Sequence, residues 1–110
     1  MKLSDARYIT KEWQEALKLG NWTITVRWGT KKELTQSVDG TNAVCDGCIW
    51  WGNAEYKQAE IALNRNMTYG DIVKTIKHEL LHLRLEGHKQ QGGKYDKEYE
   101  FGLNCLSDLL

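Results

Sequence analysis

The chain has 110 residues, 41% hydrophobic and 27% charged, which fits one globular domain over 1–110 and leaves little room for a second. Fifteen basic residues balance fifteen acidic ones and form no basic run, so neither nucleic acid nor an anionic membrane is an expected partner. No segment approaches the roughly 20 apolar residues of a membrane span.

Residues 1–20 carry no uninterrupted apolar stretch of the kind a secretory leader needs. Three cysteines are an odd count for a disulfide-stapled domain. A reducing cytoplasm is the expected compartment. Proline is absent, so helix boundaries must come from caps and glycines.

In chain order, Ser4 is placed to cap a first helix and Gly20 to end it. Ala6, Ile9, Trp13, Ala16 and Leu17 form its apolar stripe. From Trp22 the period changes to two. Trp22, Ile24, Val26 and Trp28 alternate with polar residues, which predicts a strand with one buried face. Residues 29–42 are polar, with Asp39-Gly40, and read as a loop or wide turn. Ala43 to Trp51 reads as a second strand, with Cys45-Asp46-Gly47-Cys48 as a tight hairpin or a bulge. A turn near Asn53 leads to a third strand, Ala59 to Leu63, antiparallel to the second.

Thr68 with Asp71 three residues on predicts the start of a long helix. Tyr69, Ile72, Val73, Ile76, Leu80 and Leu83 are expected on its apolar face, and Gly87 is its natural stop. After a polar linker with Gly92-Gly93, a last helix is expected from about Tyr95 to the end.

The long helix contains His78-Glu79-Leu80-Leu81-His82, an HExxH segment. Positions four apart on a helix differ by about 40° around the axis, so both imidazoles leave one side, one turn apart, and can close on a single ion. The histidines are expected away from the apolar face, at a cleft. Glu79, one residue round, is poorly placed to ligate the same ion but well placed to take a proton from a water held on it. Zinc brings that proton loss near neutral pH.

A catalytic zinc site needs a third protein ligand. His88 lies ten residues after His78, the metzincin spacing, but Leu85 stands where that pattern has the glycine that breaks the helix. In an unbroken helix His88 would be about 15 Å along the axis from His78. Glu100, 18 residues after His82 on the last expected helix, is the other candidate, with Asn104 four residues further able to orient a ligating histidine. Glu98 is the fallback, two residues away and expected on another side of the helix.

These segments, His78-Glu79-Leu80-Leu81-His82 followed by Glu100-Phe101-Gly102-Leu103-Asn104, resemble the gluzincin metallopeptidases. The length resembles their single-domain minimal forms, the minigluzincins, and small bacterial and phage proteins with a HELLHL helix. The specific resemblance covers about residues 68–110. It implies an α+β, zincin-like fold with an N-terminal helix, a small, mostly antiparallel three-stranded sheet, the HExxH helix and a C-terminal helix bearing the glutamate. It also implies one zinc per chain on His78, His82 and Glu100, Glu79 as general base, and a peptide or protein substrate. Asn104 stands where larger members carry Asp. Tyr95, Tyr99 and His88 are the candidates for stabilising the oxyanion. In that family a strand on the rim of the sheet pairs with the substrate, and Ala59–Leu63 is the candidate here.

Cys45 and Cys48 form a CxxC pair without a second half-site, and are expected to flank a turn between strands. Of the five tryptophans, Trp22 and Trp28 read as core, and Trp50-Trp51 must point to opposite faces of one strand. The expected function is zinc-dependent hydrolysis of a peptide bond. The alternative is a zinc-stabilised interaction module with little or no catalysis.

Overall fold

The computed structural model describes residues 1–38, 41–52, 54–88, 102–103, 105–107 and 109–110. They form a small α+β fold built around a mixed three-stranded sheet.

Helix α1 spans Leu3–Ala16 and buries Ala6, Ile9 and Thr10. Its cap is Lys2 rather than Ser4, and no side chain satisfies the first turn. The helix also ends before Gly20. The Lys18 N–H donates to Glu15 O at 3.1 Å and the Leu19 N–H to Gln14 O at 2.8 Å. These two bonds are a Schellman closure, which needs a left-handed residue at its centre. Lys18 supplies it, with φ 61°.

Strand β1, Thr23–Trp28, pairs in parallel with β5, Gln58–Leu63, and β5 pairs antiparallel with β4, Gly47–Trp51. The order β1-β5-β4 corrects two expectations. The sheet is mixed, not mostly antiparallel, because parallel strands need a long crossover and residues 29–57 provide one. Strand β5 is central, hydrogen-bonded on both sides, so it cannot also accept an extended peptide. Among the described strands, the outer one beside the long helix is β4.

The stretch read as a loop contains structure of its own. A short helix α2, Lys31–Leu34, begins with a full capping box, the Thr30 side chain accepting from Glu33 N and the Glu33 carboxylate from Thr30 N. Strands β2, Thr35–Val38, and β3, Thr41–Val44, then form a separate antiparallel pair. Asp39, Gly40 and Asn53, where turns were expected, lie outside the described residues. The stretch from Ala43 to Trp51, expected as one strand with a hairpin or bulge at Cys45–Cys48, is divided between two sheets, and Cys45-Asp46 is the joint. It is pinned by the Cys45 N–H donating to Leu34 O at 2.7 Å. A 3-10 turn, Ala54–Tyr56, precedes β5.

Helix α3, Tyr69–Glu86, is capped by Thr68, whose hydroxyl accepts from Asp71 N at 3.3 Å. It packs on α1 and β4. The core comprises Ile72, Ile76, Leu80 and Leu83 of α3, Val26, Ile49, Trp51, Ile61 and Leu63 of the sheet, and Ala6 and Ile9 of α1. Tyr69 does not join it and is 62% exposed. Residues 102–103 and 105–107 are helical, within the expected last helix, and bury Leu103 and Ser107.

Candidate metal centre

Helix α3 sets the geometry. His78 and His82 stand one turn apart with ring centroids at 4.9 Å and planes at 77°. Neither ring projects freely into solvent. Nδ1 of His78 is buried, and the His82 side chain is 16% exposed. On α3 they stand across the axis from Ile72, Ile76, Leu80 and Leu83, as expected, but the rings are partly covered rather than open to solvent. Helical spacing puts them between Thr75 and Glu79 on one side and Leu81 on the other, all three buried.

Nδ1 of His82 is 3.1 Å from Oε2 of Glu86, four residues on. An ionised carboxylate only accepts, so in this contact the ring proton belongs on Nδ1. The lone pair of the neutral ring is then on Nε2. This is the carboxylate–histidine arrangement that fixes tautomer and ring orientation in metal sites. Glu86 was missed in the sequence. Its signal was there, a carboxylate one helical turn after the second histidine, but the same spacing serves any solvated helix pair.

Glu79 is buried, 7% exposed, beside the histidines. Burying a carboxylate is costly unless charge or hydrogen bonds offset it.

Strand β4 reaches this side of α3. A Cβ built on Gly47 would lie 2.7 Å from Cγ2 of Thr75. The backbone of β4 therefore sits directly on Thr75, and Thr75, Glu79 and His82 climb α3 along one side. The outer strand and the histidines share that flank.

His88 is exposed and lines a cleft with Lys18, Trp22, Lys57 and Arg84 that neither His78 nor His82 lines. The Gly87 N–H donates to Leu83 O at 2.7 Å, so no early break swings His88 back. His88 is not brought to the pair. Glu100, Glu98, Tyr95, Tyr99 and Asn104 lie outside the described residues. Among the described residues no three His, Cys, Asp or Glu side chains gather into a metal-holding group. The described donors are thus two imidazoles, close together and partly buried, with one tautomer fixed, which fits two of a zinc ion's ligands.

On the other face of the sheet, Arg27 bridges Glu33 and Glu60. Its Nη1 donates to Glu33 Oε1 at 2.9 Å and its Nη2 to Glu60 Oε1 at 2.8 Å. The guanidinium holds the Glu33 carboxyl down at about 2, with the Thr30 backbone N–H adding to the effect. Trp50 lies on this face under Arg27, at 5.8 Å, and is 37% exposed, while Trp51 is buried. Cys48 is buried, Cys45 half-buried and Cys105 exposed. The first two flank the joint between the sheets, and the Cys48 thiol donates to Glu33 O at 3.8 Å.

No family model, curated protein or solved structure gives a significant match to this chain.

Proposed function

We propose that this chain is a zinc-dependent peptidase of gluzincin type. The observation that carries the reading is the cluster on α3: two histidine rings at 4.9 Å, one oriented by Glu86, with the buried carboxylate of Glu79 between them in sequence.

His78, His82 and Glu100 are the proposed zinc ligands. Bound zinc supplies Lewis acidity toward a carbonyl oxygen and toward water. Glu79 accepts a proton from the attacking water and delivers it to the leaving amine nitrogen. Its burial keeps bulk water from competing for that proton and strengthens its field at the site. Glu86 holds the His82 ring.

The deciding experiment compares the wild type with Glu79→Gln on a broad peptide library. Equal zinc content with cleavage lost in Glu79→Gln supports the peptidase. Zinc bound by both and cleavage by neither would replace it with the second reading, a zinc-stabilised interaction module.

A further inference from the structure

Across α3 from the histidines, four segments converge on an open cleft of roughly 220 Å³. Lys18 comes from the end of α1, Asn21 and Trp22 from the approach to β1, Lys57 from the start of β5, and Arg84 and His88 from the end of α3. Arg84 is two residues beyond His82, about 200° round the axis, so the cleft is separate from the metal flank. Two lysines, an arginine, an imidazole and an amide line it, and among the described residues no Asp or Glu does. A chain whose formal charge is zero has concentrated positive charge in one concavity.

The backbone makes the concentration harder to dismiss. Lys18 at φ 61° and Lys57 at φ 51° are the only non-glycine residues with positive φ among those described. Each is held there by hydrogen bonds. Lys18 closes α1, and the Lys57 carbonyl accepts from Thr23 N at 2.8 Å where β1 meets β5. Glycine is the low-cost residue at such positions. Lysine stands at both, and both lysines line the same cleft. Trp22 forms its wall, with the Lys57 ammonium 5.1 Å from the ring centroid. Outliers of this kind are stored where a function needs the side chain.

We propose that this cleft binds a small, multiply charged oxyanion, of the phosphoryl class, through Lys18, Lys57 and Arg84. Asn21 and His88 add donors at the rim. Three cations match a multiply charged group better than a single carboxylate, and the open mouth admits a body attached to it. The site does not depend on zinc or on the peptidase reading.

The test is a titration of the metal-free full chain with sodium pyrophosphate at constant ionic strength, followed by backbone amide shifts in NMR. The His78→Ala/His82→Ala variant is run in parallel. Saturable binding is expected in both proteins, with the largest shifts at Asn21, Trp22, Arg84 and Gly87. A Lys18→Gly/Lys57→Gly variant removes two charges while relaxing both backbone positions. It is expected to melt no lower than the wild type and to bind pyrophosphate at least about tenfold more weakly. If that variant loses stability, Arg84→Gln decides instead, with the same loss of affinity expected. Binding that does not saturate, shifts centred on His78 and His82, or affinity unchanged in the variant that decides, would each overturn the proposal.

Discussion

The carboxylate of Glu86 lies 3.1 Å from Nδ1 of His82, one helical turn back along α3. The contact is part-buried, and a single pair one helical turn apart adds little to stability. Under the proposed function its consequence is for the ring, which a carboxylate at Nδ1 orients with Nε2 as the ligating nitrogen. Glu86→Ala is expected to lower zinc affinity by about 10–100-fold, measured by competition with a chelator. Unfolding of the metal-free chain should change by no more than about 0.5 kcal/mol. A purely structural role would move stability and leave zinc affinity alone.

Gly47 and Thr75 fix the distance between β4 and the histidine flank. A Cβ at Gly47 would meet Thr75 Cγ2 at 2.7 Å and Ala62 O at 3.1 Å. Gly47→Ala should therefore cost about 1–3 kcal/mol in a urea melt, by overpacking. Thr75→Ser removes the methyl it would strike. The double variant should recover at least about 0.5 kcal/mol relative to the sum of the single changes. Strict additivity would mean that β4 does not rest on Thr75.

Lys18 can be tested for stability apart from any ligand. Glycine at the centre of the Schellman closure adopts φ 61° without the strain lysine carries. Lys18→Gly is expected to raise stability by up to about 1 kcal/mol, the conformational gain being partly offset by a more flexible unfolded chain. For a domain of this size that is a rise of up to about 4–8 °C in melting temperature. A clear fall in melting temperature would show that the lysine stabilises the fold through contacts other than the cap.

Acid should reveal the Arg27–Glu33 contact. The folded-state value of Glu33, about 2, is below its ordinary 4.5. Between those values the unfolded chain binds more protons, so the contribution of this group is complete above 4.5 and is lost as pH falls toward about 2. Urea melts of the metal-free chain across that window should show Arg27→Met losing stability less steeply than the wild type. Parallel curves would mean that Arg27 does not hold Glu33 down.

Much of the fold was readable where the signals are local. Thr68, Asp71 and the spacing of Ile72, Ile76, Leu80 and Leu83 specify α3. The alternation from Trp22 to Trp28 specifies β1, and Trp50-Trp51 divides between faces as strand geometry requires. What was missed depends on partners distant in sequence or on competition between weak signals. The parallel pairing of β1 with β5 spans a crossover that no local pattern encodes. Thr30 and Glu33 form a capping box within a stretch too short and polar to show helical periodicity. Gly20 drew the end of α1 toward itself, although Lys18 takes the left-handed position. His78, Glu79 and His82 were legible because one helix carries all three. Lys18, Lys57 and Arg84 were not, since only the folded chain gathers them.

The central claim is that His78 and His82 hold zinc, and the most direct measurement is metal content. Purified wild type loaded with zinc and passed through a desalting column should retain one zinc per chain, and the His78→Ala/His82→Ala variant none. A wild type that retains no zinc, or a double variant that retains as much as the wild type, would contradict the account.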